Sequence, residues 1–445
     1  MSQLVHKDEV PLLEIPAIPR STSAAKQVWR VVRIASGNFL ENYDLTIFAY
    51  YAAAIGLAFF PASSQYGSLM LALLTFGAGY IVRPLGALVL GAYIDRHGRR
   101  PGLLLTLSLM GLGTFIIAAL PPYAAIGLLA PLFVLIGRLL QGFSAGAEIG
   151  GATVYLAEIA TPRRKGFFVS WQPASQQVGV IFAAILGYTL SVTLGQQAIT
   201  EWGWRIPIFI GCAIIPVFLL LRRRLDETEV FVKRENHPGF AEVCRSVAAN
   251  WHIILTGLMI AANGSVFFYF ITVYTPTFGR TALHLSPESS LLVTLCVGLL
   301  AFSLQPMAGL LTDRIGRRPV LVAAAILAMT TTYPALLWLT AAPSFERLLA
   351  VELWLAVMFS FFNSTTQVFL TEIMPARIRV TGFSITNALG PTVFGGFTPA
   401  ISSWLIHISG NPAVPGLWLS FAAVMGLTGT LLAPRNTEES NPTLR

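Results

Sequence analysis

Charged residues are scarce in this chain of 445 residues: Asp, Glu, Lys and Arg make up 11% of it, and hydrophobic residues make up 55%. Soluble domains carry about 25% charged residues, so this chain has too few charges to cover a surface in water. The scarcity excludes a soluble enzyme, a disordered chain and a secreted scaffold. The apolar background, with 38 Gly and 27 Pro residues, is typical of packed transmembrane helices.

Cysteine is also scarce, since the chain has only Cys212, Cys244 and Cys296. An odd number of widely separated cysteines without metal-ligand spacing predicts plain thiols, with neither a disulfide nor a metal site. The sequence also lacks a nucleophile–base arrangement and a phosphate-binding loop. We therefore predict a protein that is not an enzyme and needs no cofactor.

Apolar segments of about 20 residues, enough to cross the hydrocarbon core of a bilayer, recur along the whole chain. The sequence predicts an all-α membrane protein with twelve spans, at 32–60, 67–93, 102–121, 124–148, 166–193, 203–221, 251–275, 289–311, 319–341, 347–371, 381–408 and 414–433. The first 30 residues are polar and show no cleavable leader, so we expect a tail followed by a retained first span.

Basic residues concentrate in alternate loops between these spans. The main clusters are Arg96 with Arg99 and Arg100, Arg163 to Lys165, Arg222 to Arg224, Arg314 with Arg317 and Arg318, and Arg377 with Arg379. Positive residues stay on the cytoplasmic side, which predicts a multi-pass protein of a cell inner membrane with both termini in the cytoplasm. A nucleic-acid partner is not expected, because the net charge of +8 is divided among short loops.

Two loops share a sequence at a fixed offset. Residues 91–101 read GAYIDRHGRRP and residues 309–319 read GLLTDRIGRRP, and Glu158 and Glu372 form a second pair at nearly the same offset. The pattern predicts a six-helix unit used twice, as in alternating-access transporters, whose substrate site lies near the midplane between the repeats. The predicted division is a cytoplasmic tail at 1–30, two bundles at 31–222 and 251–434, a cytoplasmic linker at 223–250 and a tail at 435–445.

The repeated loop resembles the signature loop of the major facilitator superfamily. We expect its Asp to face a helix N-terminus or a neighbouring Arg, and its Arg residues to pair with acids, so that the cytoplasmic side stays closed in the outward-facing state. The alternative is that these arginines only obey the positive-inside rule. The predicted gating residues are Gly91, Asp95, Arg96, Gly98, Arg99, Arg100, Glu158, Gly309, Asp313, Arg314, Gly316, Arg317, Arg318 and Glu372.

Ionisable residues within the spans are functional candidates, because charges at membrane depth are costly unless they are paired or face a cavity. The first half has Glu41, Asp44, Arg83, Arg138 and Glu148, whereas the second half has Glu352 and no Arg within a span. A carboxylate that is neutral when desolvated and ionised beside an Arg is the switch that a proton-coupled carrier needs. We predict that Asp44, Glu41, Arg138 and Glu148 couple protons to transport. A structural ion pair between the first and fourth spans is the alternative, and Glu148 is near enough to the surface to pair only with loop arginines.

Arg83 lies about 12 Å inside the second span at 1.5 Å per residue. It contacts the substrate anion or forms an ion pair at the cytoplasmic gate. The predicted substrate-binding residues are Arg83, Arg138, Gln172, Gln176, Asn263, Tyr269, Tyr274, Asn363 and Gln367. For each neutral residue, the alternative is a hydrogen bond to a neighbouring helix.

Several stretches narrow the resemblance within the superfamily. They include residues 36–44, 137–148, 171–177 and 201–207. Together they resemble the metabolite–proton symporters over residues 28–433, and residues 269–280 and 395–400 are most similar to citrate and tricarballylate carriers. The resemblance implies that Glu41, Asp44, Arg83 and Arg138 occupy the charged-site positions of that family. Leu45 and Thr46 depart from the aromatic residues expected there.

The resemblance implies uptake of a tricarboxylate, citrate or tricarballylate, with protons by a carrier in the lipid bilayer, and we expect the carrier to be a monomer. Arginine suits this role because its planar fork binds carboxylates through two parallel hydrogen bonds. Two alternatives stay open. One is proton symport of another metabolite, such as 2-oxoglutarate or another dicarboxylate, a shikimate-like acid, betaine or proline. The other is proton-driven efflux.

Overall fold

The computed structural model describes residues 38–97, 99–146, 153–154, 156–157, 160–223, 249–374 and 379–434. Several expectations lie outside this part of the chain. They concern the tails at 1–30 and 435–445, most of the linker at 223–250, Gly98, Glu148 and Glu158, and the side chains of Asp95, Arg96, Arg99 and Arg100.

The described residues form helices and no strand, and the longer helices fall into twelve runs. These are α1 (38–59), α2 (65–97), α3 (Arg99–Ala119), α4 (Leu129–Ala145), α5 (Lys165–Gly203), α6 (Arg205–Arg223), α7 (Trp251–Thr281), α8 (Pro287–Ile315), α9 (Arg317–Ala341), α10 (Phe345–Ile373), α11 (379–409) and α12 (Pro415–Leu432). Eight of the described helices are long and apolar enough to cross a membrane. The other four, α1, α4, α6 and α11, complete the predicted order, so the predicted all-α fold class is confirmed.

Some helix ends differ from the predicted ones because local backbone geometry decides them. The fourth span begins at Leu129 and not at 124, since a short turn at Tyr123–Ile126 is closed by Gly127 with a φ of 60°. The fifth span continues to Gly203, past a break at Gly195, whose φ is 72°. The seventh continues to Thr281 because a π-helical turn at Tyr269–Tyr274 leads directly into another helical turn.

The helix ends define two faces of the molecule. The signature-loop face holds His97, Arg99 and residues 160–164 and 315–317, and the opposite face holds residues 60–64 and 281–286. Because successive helices run in opposite directions, the odd-numbered helices α1, α7 and α11 all run from the signature-loop face to the opposite face, and residues midway along them lie at a similar depth. Functional side chains on these helices can therefore meet near the centre.

Small residues bring the first six helices against the last six. A Cβ atom on Gly166 of α5 would lie 2.6 Å from the carbonyl oxygen of Gly309 on α8, so only glycine fits this contact. On another edge of the same boundary, the Thr392 hydroxyl of α11 donates a hydrogen bond of 2.8 Å to the carbonyl oxygen of Tyr80 on α2. The interior between these two contacts holds the polar residues described next.

Candidate functional site

Two buried arginines define the centre of the first six helices. Arg83 on α2 is 3% exposed, and its Nη2 donates to the Glu41 Oε1 of α1 at 2.7 Å. This ion pair ties α1 to α2. Of the two alternatives for Arg83, the geometry favours an ion pair over direct contact with a substrate anion. The pair is buried among the helices and does not lie at the cytoplasmic gate.

Arg138 on α4 is 1% exposed and connects to Asp44 through two neutral side chains. The Arg138 Nη1 donates to Gln141 Oε1 at 2.7 Å, and Gln141 Nε2 donates to Thr114 Oγ1 at 3.0 Å. The Thr114 hydroxyl in turn donates to Asp44 Oδ1 at 3.1 Å. Every hydrogen bond in this relay points from the cation toward the carboxylate, so the relay stabilises a charged Arg138 together with an ionised Asp44.

The expected direct contact between Arg138 and a carboxylate on α1 is absent among the described residues. The reason is the rotation of α1. Glu41 and Asp44 are about 60° apart around the helix axis at 100° per residue. Glu41 therefore faces α2, and Asp44 faces Thr114 on α3. The direct pair links the first and second spans and not the first and fourth.

Aromatic rings enclose both guanidinium groups. Arg138 Cζ lies 4.6 Å from the ring centroid of Phe48 and 4.9 Å from that of Phe76, and Arg83 Cζ lies 4.4 Å from that of Tyr80. Cation–π contacts of this kind strengthen when water is excluded. Tyr269, on the π-helical turn of α7, packs edge-to-face on Tyr80 with centroids 5.3 Å apart. The last six helices thus reach the ionic centre through one of the predicted site residues.

Buried amide groups without hydrogen-bond partners line the contact between α5 and α8. Gln172 and Gln177 of α5 and Gln305 of α8 are each at most 1% exposed, and both amide atoms of each lack a partner among the described residues. Gln172 was predicted, but the predicted Gln176 is only half-buried, and Gln177 takes the interior position. Unsatisfied buried amides are rare in folded proteins, so these three side chains are candidates for binding a polar ligand.

The remaining predicted residues of the last six helices are buried or half-buried, and Tyr274 already has a hydrogen-bond partner. The Tyr274 hydroxyl lies 2.8 Å from Ser403 Oγ, which occupies it. Asn263 lines a small cavity together with Phe362, and its Oδ1 has no partner in the described structure. Gln367 Oε1 is likewise buried and unpartnered there, and Asn363 lies against Gly264.

Glu352 of α10 is fully buried next to α7. Its Oε1 lies 3.0 Å from Thr275 Oγ1, and its Oε2 has no hydrogen-bond partner among the described residues. Glu352 forms no ion pair with any of the described residues. Glu352 lies seven residues after the start of α10, among buried side chains.

The second signature loop links the two sets of helices on the signature-loop face. Both carboxylate oxygens of Asp313 accept hydrogen bonds from the first turn of α5, at 2.8 Å from the Gly166 amide and 2.9 Å from the Phe167 amide. Arg317 binds Asp313 at 2.7 Å and Glu372 at 3.2 Å. The predicted contact of the loop Asp with a helix N-terminus is therefore found. Arg314 is exposed, and Arg318 donates to the carbonyl oxygens of 433 and 434.

Sequence reasoning missed Thr114, Gln305 and the aromatic pair Phe48 and Phe76. A polar residue inside an apolar span was the available signal for Gln305. Thr114 gave no such signal, since threonine commonly bonds its own helix, and Thr114 also lies 3.0 Å from the Met110 carbonyl oxygen.

Comparisons with known proteins agree with this fold. Residues 30–440 match the family described as "Sugar (and other) transporter". The chain is 52% identical over 412 residues to a citrate-proton symporter of Salmonella typhi, covering 93% of this chain and 95% of that protein. It is 50% identical over 430 residues to a citrate-proton symporter of Klebsiella pneumoniae, covering 97% of each. Among solved structures, a proton:xylose symporter of the major facilitator superfamily matches with a TM-score of 0.72 and 18% identity, over 92% of this chain and 95% of the other.

Proposed function

The chain belongs to the sugar (and other) transporter family, and on that premise we propose that it takes up citrate or tricarballylate together with protons by alternating access. Two relatives at 50% identity or more that are named citrate-proton symporters support this substrate class. The observation that carries the mechanism is the polarised relay from Arg138 through Gln141 and Thr114 to Asp44.

Arg138 is the proposed anion-binding group. A substrate carboxylate takes the place of Gln141 on the guanidinium, where it can form two parallel hydrogen bonds. Loss of Gln141 from Arg138 disturbs the relay that holds Asp44 ionised, so substrate binding and proton binding by Asp44 favour each other. When Asp44 releases its proton, the ionised carboxylate again stabilises the relay. Gln141 then returns to Arg138, and the affinity of Arg138 for the substrate falls.

The ion pair of Glu41 with Arg83 is a second proposed coupling pair. The Tyr80 ring that stacks on Arg83 also contacts Tyr269 of α7, so movement of the last six helices reaches this pair directly. A substrate carboxylate near Arg83 competes with Glu41 for the same donors. Gln172, Gln367 and Asn263 then supply hydrogen bonds to the other oxygen atoms of the substrate.

Proton coupling answers an electrical problem. With the cell interior negative, each negative charge that enters costs about 2.3 kcal/mol per 100 mV, so a trianion faces about 7 kcal/mol. Each accompanying proton cancels one charge. Membrane carboxylates beside arginines are suited to carry those protons.

The proposed topology follows from the positive loops. The signature-loop face lies in the cytoplasm, both termini are inside, and the protein is a monomer in the inner membrane. The bundles at 31–222 and 251–434 rock against each other, and the contacts of Asp313 with α5 hold the cytoplasmic side closed.

Uptake of radiolabelled citrate into proteoliposomes tests the proposal. An inward proton gradient should drive accumulation of citrate or tricarballylate, and an uncoupler should abolish it. Arg138→Ala should abolish both accumulation and exchange, whereas Asp44→Asn should lose accumulation and retain citrate counterflow. A panel with 2-oxoglutarate and betaine serves as the substrate control. Accumulation that survives the uncoupler, or a preference for betaine over citrate, refutes the proposal.

A further inference from the structure

A cavity of about 660 Å³ opens between the two sets of helices at the face opposite the signature loops. Its wall includes Leu69 of α2, Arg280 at the end of α7, His284 in the following loop and His407 of α11. None of the residues in this wall is Asp or Glu. The cavity therefore presents one arginine and two imidazoles with no acid to neutralise them, which suits an anionic ligand.

Arg280 differs from the other arginines at this face. Arg205 donates to the Leu120 carbonyl oxygen at 2.9 Å and stacks on Trp204, and Arg347 donates to the Trp338 carbonyl oxygen at 2.8 Å. Within the described residues, the half-buried Arg280 guanidinium has no hydrogen bond, ion pair or ring contact of this kind. A guanidinium carries five N–H donors in a planar fork that matches a carboxylate. Arg280 thus offers its donors to whatever enters the cavity.

The two histidines lie on the cavity wall around Arg280. His284 has a φ of 55° and is the one described non-glycine residue in the left-handed region. The Leu283 and Leu285 amides, which donate to the carbonyl oxygens of Phe278 and Gly279, hold this loop in place. His407 stacks on Tyr66 of α2 with ring centroids 3.9 Å apart, so it joins the two sets of helices. Imidazole N–H groups donate well to carboxylates.

The cavity leads toward the ionic centre but stops short of it. Leu69 on the cavity wall is seven residues before Phe76, about 10 Å along α2 at 1.5 Å per residue. Phe76 and Phe48 cover Arg138, which is 1% exposed. An anion in the cavity is therefore separated from Arg138 by the rings of Phe48 and Phe76.

We infer that this cavity is a first docking site for the polycarboxylate substrate, distinct from the site at Arg138. Arg280 binds one carboxylate through two parallel hydrogen bonds, and His284 and His407 donate to the others. The inference rests on the proposed function, because it takes the transported anion to be the ligand. A zwitterion with one carboxylate would gain less from this site than an anion with three.

The test compares Arg280→Gln with Arg347→Gln in citrate uptake by proteoliposomes. Arg280→Gln removes the charge from the cavity and should raise KM for citrate about tenfold, with the maximal rate within about twofold of the wild type. Arg347→Gln removes a charge from the same face but outside the cavity wall, so KM should stay unchanged. An unchanged KM in Arg280→Gln overturns the inference, and so does an equal rise in both variants.

A second measurement separates docking from transport. Titration calorimetry of the detergent-solubilised Arg138→Gln protein should show weak residual citrate binding, and adding Arg280→Gln should abolish it. Residual binding that survives the double substitution overturns the inference. If Arg280→Gln is not recovered as folded protein, Arg280→Lys replaces it, since lysine keeps the charge but lacks the planar fork. This variant should raise KM for citrate about threefold, and an unchanged KM overturns the inference.

Wild-type protein that does not transport citrate refutes the proposed function itself, whereas transport with an unchanged KM in Arg280→Gln refutes only the docking site.

Discussion

Thr114 lies between Asp44 and Gln141, and so links the carboxylate of Asp44 to the guanidinium of Arg138 without a direct contact between the two charges. Its hydroxyl oxygen accepts from Gln141 and lies 3.1 Å from Asp44 Oδ1. One hydroxyl hydrogen serves either Asp44 or the Met110 carbonyl oxygen at 3.0 Å, and it cannot serve both fully. Thr114 can therefore release Asp44 when that carboxylate takes up a proton, without leaving its own hydrogen unpaired.

Thr114→Val should lower proton-driven citrate accumulation about tenfold. Valine keeps the shape but leaves Gln141 Nε2 and Asp44 Oδ1 without their partner, and such an unsatisfied buried group costs about 1–3 kcal/mol. Uptake under a proton gradient is the measurement. Thr114→Ser keeps the hydroxyl and is the matched control, expected within about twofold of the wild type. Equal losses in the two variants would show that packing and not the hydroxyl is responsible.

At the residue scale, the sequence predicts which groups are important better than it predicts their partners. Arg83, Arg138, Glu41 and Asp44 stand out because a charge in a span is costly, and all four are buried in the structure. Their pairing depends on how far α1 is rotated, which a single sequence does not specify. The same limit explains why Gln177 and not Gln176 faces inward.

Helices α2 and α4 position both arginines through a glycine seam. A Cβ atom on Gly142 would clash with the carbonyl oxygen of Gly79, and one on Gly146 would clash with that of Arg83. Gly142 is four residues after Arg138, and Gly79 is four residues before Arg83. Close backbone contact at the seam thus fixes the relative position of the two guanidinium groups.

Gly142→Ala should lower the melting temperature of the detergent-solubilised protein by several degrees. The added methyl group forces α2 and α4 apart, and overpacking of this kind costs about 1–3 kcal/mol. Thermal unfolding followed by size-exclusion chromatography measures the change. The control is Gly91→Ala, because nothing lies within 4 Å of a Cβ built at Gly91. A Gly142→Ala protein as stable as the control would mean that the seam is not closely packed in solution.

At the element scale, span positions were predictable and interruptions were not. Apolar length alone places all twelve helices to within several residues, apart from the extended C-terminal ends of α5 and α7 and the late start of α4. The π-helical turn at Tyr269–Tyr274 has no comparable signal, because apolar composition continues through it. Yet this turn carries the Tyr269 ring to Tyr80, where the two sets of helices meet at the ionic centre.

For the whole molecule, the repeated loop was the most informative feature of the sequence. It predicted a doubled helical unit and a contact of its Asp with a helix N-terminus, and Asp313 makes that contact across the boundary between the two sets of helices. The repeat could not predict the asymmetry of the interior. The two arginines of the ionic centre, Arg83 and Arg138, lie in the first half, whereas Glu352 lies in the second and forms no ion pair among the described residues.

Asp313→Asn should open the molecule at the signature-loop face. The substitution removes the negative charge that accepts both amides of the first turn of α5 and binds Arg317. Hydrogen bonds to charged groups contribute about 1.5–3 kcal/mol, so a partial loss should raise the open population about tenfold.

Maleimide labelling of a cysteine at position 305 measures that opening, since Gln305 is 0% exposed in the closed arrangement. The background carries Ser at Cys212, Cys244 and Cys296, and the reagent is added from the signature-loop face. Arg318→Gln is the control, because Arg318 bonds carbonyl oxygens at 433 and 434, which belong to the same half of the chain. Labelling should accelerate about tenfold in Asp313→Asn and stay unchanged in Arg318→Gln. Equal rates in both would mean that the α5–α8 contact is held closed by its glycine packing, with no measurable contribution from the carboxylate.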